Sequence, residues 1–390
     1  MEPRTAKTSL IILAAGVLLS SCAGPKKEEK AAAAPARPIG TPVEIKAPLG
    51  LPPVPTPADN PPTAETIALG RRLYYDTQLS VDNTVSCATC HSPSAGFSDG
   101  KPVSNGVHGK TGTRNAPTVF NSAYFTVQFW DGRAPSLEKQ AEGPVQNPVE
   151  MAHTLPDVEK KLSADPSYAA EFEKAWGPGP ITYEKIEKSI ASFERTVVSG
   201  NSPFDKYYFG GDKKAMSAAA IRGLEVFRKA DKGNCTACHT IDEKFALFTD
   251  NKFHNLGVGI NGRGELTDLG RYTVTKVDAD RGAFKTPSLR NIALTAPYMH
   301  DGSLKTLTDV VEFYVGGGTS SPWRDKEIHA LDFLTPRERT DLVAFLESLT
   351  GEMPPNVGPP EAKKAEVRSV GAALAEALVP GYRSLTAAAR

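Results

Sequence analysis

Two cysteine pairs in this 390-residue chain are each closed by a histidine, Cys87-Ala88-Thr89-Cys90-His91 and Cys235-Thr236-Ala237-Cys238-His239. Thiols at this spacing can hold zinc, exchange disulfides, close a structural disulfide, or add across the vinyl groups of a haem. Zinc sites built from two such pairs set them about 15–20 residues apart, and here most of a domain lies between them. A redox dithiol does not require the trailing histidine, least of all in both copies. Haem attachment requires every residue of the pattern. Two thioethers fix the porphyrin, and the next residue takes the iron from one face. The chain is therefore expected to carry two covalent haem c groups, on Cys87 and Cys90 and on Cys235 and Cys238, with His91 and His239 as proximal ligands.

Each motif needs a scaffold, and similar elements precede both. Thr63-Ala64-Glu65-Thr66 can cap a helix whose apolar stripe is Ile67, Leu69, Leu73 and Tyr74. Ala218 to Phe227 repeats that approach with Ile221, Leu224 and Phe227 on one face. Leu155–Trp176 and Tyr183–Val198 read as helices separated by Pro178-Gly179-Pro180, and Leu307–Tyr314 and Pro336–Leu349 as amphipathic helices. No sustained alternation of period two occurs. The expected fold is mainly α with long loops and little β, built as two cytochrome c-like haem domains over 63–200 and 201–350.

Outside these domains the composition changes. Arg4 and Lys7 precede an apolar run, Ser9 to Leu19, of signal-peptide length and too short to span a bilayer. Leu19-Ser20-Ser21-Cys22 resembles a lipobox, so 1–21 is expected to be a lipoprotein signal and Cys22 the acylated residue. Ala23 after the cysteine favours outer-membrane sorting, which gives a lipid-anchored periplasmic protein. Residues 22–62 are Ala/Pro-rich and read as a flexible tether. Residues 351–390 form a tail with one Ala-rich helix candidate, Glu366–Leu378. Forty-five basic and 45 acidic residues balance, and no basic patch argues for nucleic acid.

Longer strings then carry a resemblance. They are Leu79-Ser80, Arg114-Asn115-Ala116-Pro117-Thr118-Val119-Phe120-Asn121, Gln128-Phe129-Trp130-Asp131-Gly132-Arg133, Gly143-Pro144-Val145 with Pro148-Val149-Glu150-Met151, Lys285-Thr286-Pro287-Ser288-Leu289-Arg290-Asn291, and Thr295-Ala296-Pro297-Tyr298-Met299-His300-Asp301-Gly302. In this order the chain, from about Leu69 to Leu349, resembles the bacterial dihaem cytochrome c peroxidases and their relative MauG. The resemblance implies that hydrogen peroxide is reduced at the first haem, with Glu150 as the distal acid that moves a proton between the two oxygens. It implies that Trp130 lies between the haems as an electron relay, where the residue could equally be a large core aromatic. It also implies calcium between the domains, held by Asn115, Thr295 and Pro297, with oxygen donors that suit a hard cation.

Two positions decide the branch. His108, in a Gly-rich loop, matches a histidine that ligates the first haem in peroxidases needing prior reduction, and it could equally be solvent-exposed. Tyr314 stands fourteen residues after His300, where conventional peroxidases carry a methionine ligand and MauG-like proteins a tyrosine. Leu307, Val310, Val311 and Tyr314 share a helix face, so the tyrosine points inward, as ligand or as core. A phenolate stabilises Fe(III) and higher states, whereas a thioether favours Fe(II). With tyrosine the peroxide's two oxidising equivalents can be shared between both haems through Trp130. The electrons would then come from a protein substrate oxidised at an aromatic residue. The alternatives are a conventional peroxidase fed by a small c-type cytochrome or a cupredoxin, and a non-catalytic electron carrier. Of the other histidines, His300 matches one at the second haem's edge, His254 is expected near a haem propionate, and His153 and His329 at the surface.

Overall fold

The structure is a computed structural model that describes residues 39–360. It is mainly helical. Its helices are α1 (Ala64–Tyr75), α2 (Cys87–Cys90), α3 (Leu137–Gln146), α4 (Leu155–Ser163), α5 (Pro166–Trp176), α6 (Tyr183–Glu194), α7 (Pro203–Tyr208), α8 (Ala218–Arg228), α9 (Tyr272–Thr275), α10 (Leu307–Val315) and α11 (Pro336–Glu347). One sheet is present among the described residues, in which β1 (Phe253–His254) pairs antiparallel with β2 (Phe284–Lys285). No helix among the described residues is long and apolar enough to cross a membrane.

Two clusters of buried apolar side chains organise these elements. The first takes Leu69, Leu73 and Tyr74 of α1 with Ile186, Ile190 and Phe193 of α6. The second takes Leu224 and Phe227 of α8, Val311 of α10, and Leu342 and Phe345 of α11. Each is closed by a helix pair, α1 on α6 and α8 on α11. Both crossings depend on a glycine. A Cβ on Gly70 would lie 1.8 Å from the Ser189 carbonyl oxygen, and one on Gly223 1.9 Å from that of Asp341. Backbone therefore meets backbone at both crossings.

Local chemistry sets the ends. The Thr66 amide donates to Thr63 Oγ1 at 3.1 Å while the Thr63 amide donates to Thr66 Oγ1 at 2.9 Å, so two otherwise orphaned amides at the start of α1 are satisfied reciprocally. The expected helix over Leu155–Trp176 is two helices. Asp165 caps a new start by accepting from the Ser167 amide at 2.9 Å, and Pro166 takes the first position of α5, where a missing N–H costs nothing.

The tether expected over 22–62 does not hold for residues 39–62, which are packed. The Thr41 amide donates to Glu65 Oε2 at 2.7 Å, and Leu51 is buried with Tyr124 and Val198. Proline-rich backbone loses little conformational freedom when it docks, so a few apolar anchors hold it without periodicity. Residues 351–360 return to the first half. The Arg71 Nε donates to the Gly358 carbonyl at 2.6 Å, the Tyr75 hydroxyl donates to that of Val357 at 2.6 Å, and Val357 joins the first core. Cys22 and Glu366–Leu378 lie outside the described residues.

Candidate active site

Each cysteine–histidine motif opens onto its own cavity. The first is lined by Cys87, Cys90 and His91 together with Glu150 and Trp130, the second by Cys235, Cys238 and His239 together with Tyr314 and Trp130. The motif backbones coil tightly enough to turn both thiols to one side. Cys87–Cys90 forms the single turn α2, started by a hydrogen bond from the Ser86 amide to Thr89 Oγ1 at 3.0 Å, and Cys235–Ala237 forms a 3-10 turn.

Both proximal histidines are oriented by the backbone. His91 Nδ1 lies 3.3 Å from the Phe97 carbonyl oxygen, and His239 Nδ1 lies 2.8 Å from that of Phe248. With Nδ1 donating, Nε2 is left as the lone-pair nitrogen that a metal requires. Burial holds both imidazoles below the usual histidine range, which keeps them neutral. The Tyr74 hydroxyl, donating to the His91 carbonyl at 2.8 Å, pins the first motif to α1. Oriented imidazoles, free thiols and a cavity beside each pair fit two covalent haem c groups.

Glu150 is placed by a turn at the end of α3. Its amide donates to the Asn147 carbonyl at 3.0 Å, and Asn147 Nδ2 donates to Glu150 Oε1 at 2.6 Å. Asn147 is itself fixed, because its Oδ1 accepts from the Val149 amide at 3.0 Å. Burial raises the Glu150 carboxyl above its ordinary range, opposed by the Asn147 hydrogen bond and by Arg133. One carboxyl oxygen is thus committed to Asn147, and among the described residues Oε2 has no hydrogen-bond partner. A carboxylate held this way can accept a proton and return it without changing rotamer.

Trp130 stands in the wall common to both cavities. Its Nε1 donates to the Asn115 carbonyl at 2.9 Å, and the Asn115 amide donates to the His300 carbonyl at 2.7 Å. His300 also lines both cavities and stacks on Phe284, with ring centroids 3.6 Å apart. The two residues occupy equivalent places in an internal repeat. Gln128 bridges Ala134 and Tyr298 bridges Leu304, with positive φ at Phe129 and Met299 and again at Gly132 and Gly302. The paired strings Trp130-Asp131-Gly132 and His300-Asp301-Gly302 carry that signal in the sequence. Burial pushes the His300 imidazole down to about 4, so it is neutral.

Tyr314, on α10, lines the second cavity with His239, and among the described residues its hydroxyl has no hydrogen-bond partner. Burial pushes this phenol far above its ordinary range, followed by the neighbouring Cys235 and Cys238 thiols. A phenolate here therefore needs a compensating cation in the cavity, which a haem iron supplies. Asn115, Thr295 and Pro297 are all among the residues that line this cavity. Asn115 Nδ2 donates to the Lys101 carbonyl at 2.8 Å, leaving its side-chain oxygen without a protein partner, a donor set that suits calcium.

His108 lies apart from these groups. It adopts φ 57°, has an exposed side chain 3.5 Å from Asp82, and is absent from the lining of the first cavity. Its loop is fastened along the Glu150 segment, with the Val107 amide donating to the Glu150 carbonyl at 2.9 Å. His254 is clamped between Asp325 at 2.5 Å and Asp250 at 3.1 Å on the wall of the second cavity. With Cys238 and Asp250 it forms the one metal-like cluster among the described residues, a cluster that haem attachment at Cys238 would take apart. His329 is exposed and reaches the rim of the same cavity.

Three residues at these cavities had escaped sequence reasoning. Asn147 sits three residues before Glu150, a spacing at which a side-chain turn is readable. Glu194 follows Ile190 by four on the apolar face of α6, lines the first cavity, and has Oε2 buried without a partner. Burial raises its carboxyl to about 8. Lys285 opens one of the strings that carry the resemblance, but nothing in that string assigns it a role.

Residues 64–214 match the di-haem cytochrome c peroxidase family. The methylamine utilization protein MauG of Methylorubrum extorquens is 42% identical over 300 residues, which are 77% of this chain and 82% of that protein. The chain belongs to the di-haem cytochrome c peroxidase family. The cytochrome c551 peroxidase of Pseudomonas aeruginosa is 38% identical over 73% of this chain and 79% of its own length. The crystal structure of a MauG-like protein associated with microbial copper homeostasis superposes with a TM-score of 0.71 at 35% identity, covering 78% of this chain and 95% of that one. The protein is thus an oxidoreductase of the di-haem peroxidase type. Its family implies two haem c groups, hydrogen peroxide as oxidant and a cytochrome as electron donor.

Proposed function

We propose that this protein is a peroxidase of the MauG-like branch, which reduces hydrogen peroxide at the first site and draws the two electrons from an external protein through the second. The observation that carries this reading is Tyr314, an unpartnered phenol sharing a cavity wall with His239, where conventional peroxidases place a thioether. When bound, the haems supply the iron that receives peroxide and the capacity to store oxidising equivalents.

The chain supplies the proton path and the connection. Reducing hydrogen peroxide to two waters takes two protons and two electrons. Glu150 Oε2 takes a proton from the near oxygen and returns it to the departing one, while Asn147 holds Oε1 so that the same atom serves both transfers. That relayed proton is peroxide's own, so both protons of the balance come from solvent. Trp130, in the wall shared by the two cavities and tied through Asn115 to His300, carries electrons between the sites. Asn105, Gly106, Thr111 and Gly112 of that loop line the first cavity while His108 turns to Asp82, so in this reading no imidazole from the loop occupies the site and the resting enzyme reacts without prior reduction. Calcium at Asn115, Thr295 and Pro297 and a lipid anchor at Cys22 on the periplasmic side complete the proposal.

Tyr314→Met tests it. A neutral thioether in place of the phenolate should raise the reduction potential of the second haem and make prior reduction necessary for peroxide turnover. An unchanged second-haem potential and spectrum would show that Tyr314 is a core residue, leaving a conventional peroxidase fed by a small cytochrome. That second reading has its own support in the similarity to the Pseudomonas aeruginosa enzyme.

A further inference from the structure

Lys285 is a charge in an unusual place. It is 7% exposed, belongs to β2, and lines the cavity of the second motif. Its amide is fixed by donation to the Trp130 carbonyl at 2.8 Å, so the residue is anchored to the segment between the two sites. Among the described residues the ammonium makes no hydrogen bond and no ion pair. It lies over the ring of Phe125, 3.8 Å from Nζ to centroid, and a ring face attracts a cation without neutralising it.

Burial is the sole influence on its acidity, pushing the ammonium down to about 8, so no carboxylate of the chain opposes its charge. The one acidic side chain on the cavity wall, Glu327, is exposed at the rim. A buried, unpaired ammonium is strongly disfavoured unless an anion arrives to meet it. The group that fills this cavity brings two, because haem carries two propionate carboxylates.

We propose that Lys285 is the counter-ion of the second haem's propionate, and through that charge sets the second haem's potential next to Trp130. The inference rests on the assignment of a haem to the second cavity. The bond is a charge-assisted hydrogen bond from Nζ to a carboxylate oxygen, of the kind that gains most where water is excluded. A cation beside the porphyrin edge favours the reduced state, so Lys285 raises the second haem's potential and offsets the opposite pull of an anionic phenolate. Lys285 is in this account a positioning and tuning residue.

The test is a spectroelectrochemical titration of the two-haem protein, following each haem by its own absorption and magnetic circular dichroism bands. Lys285→Met should shift the second haem's potential downward and leave the first unmoved. Lys285→Arg, which keeps the charge, should stay close to the wild type. Haem content and thermal unfolding are measured alongside, and Lys285→Gln serves if the methionine variant does not fold. An unmoved second haem in the neutral variants, an equal shift in the arginine variant, or a shift confined to the first haem would overturn the proposal. These potentials are independent of peroxide. A failure of the MauG-like reading would therefore appear in the Tyr314→Met result and leave the Lys285 result standing.

Discussion

Glu150 shows how a single hydrogen bond sets the working range of an acid. Burial alone drives its carboxyl upward toward permanent protonation, and Asn147 Nδ2 is the principal opposing influence. In the proposed mechanism the form that receives the first proton is the carboxylate, so the rate with peroxide should fall as pH drops through the pKa of the folded enzyme. Asn147→Leu removes the opposition and raises that pKa further. Its acid limb should therefore move to higher pH, with the rate at low pH lowered toward the 10²–10⁴-fold loss typical of removing a general acid–base. The second-order rate constant with peroxide, measured across the acid range in both proteins, checks this. Coincident profiles would show that Asn147 serves the turn alone. Binding of cyanide to the ferric protein gives an independent readout of the same proton acceptor.

At the level of elements, both haem motifs and most helices were legible because their information is local. Caps, apolar stripes at helical spacing, and the C-x-x-C-H strings all lie within a dozen residues. What escaped was local chemistry that competes with periodicity. Asp165-Pro166 ends one helix and begins another, although the apolar pattern runs through it. Gly143-Pro144 looks like a break, yet Pro144 lies inside α3. The helix crossings depend on contacts no local pattern records. Gly70 lies against Ser189, more than a hundred residues away in the chain, and Gly223 lies against Asp341 at a similar separation. A methyl group at either site would drive the helices apart, so Gly70→Ala and Gly223→Ala should each destabilise the protein by about 1–3 kcal/mol through overpacking. Thermal and denaturant unfolding of the haem-loaded variants provide the measurement, and a stability equal to wild type in either would refute the close-approach account of that crossing.

Across the whole molecule, long-range contacts join what the sequence divides. Residues 39–62 read as a tether because nothing in their composition announces where they dock. Arg290 settles part of it, since Nη2 donates to the Gly50 carbonyl at 2.6 Å while the same guanidinium meets Asp205 in a fully buried pair. Arg114 likewise reaches Asp131 and Asp268, each at 2.6 Å, holding the Trp130 loop to the segment just before α9. Trp130 and His300, equivalent members of a repeat, thereby share one wall between two cavities. In the proposed mechanism that shared wall lets the two haems act as one redox unit. The most direct test adds one equivalent of hydrogen peroxide to the fully ferric two-haem protein and follows the visible, near-infrared and Mössbauer spectra. The account predicts an immediate reaction in which both iron sites change together and remain oxidised beyond the ferric state long enough to meet a protein substrate. No reaction until one haem has been reduced would contradict it and make this a conventional, reductively activated peroxidase.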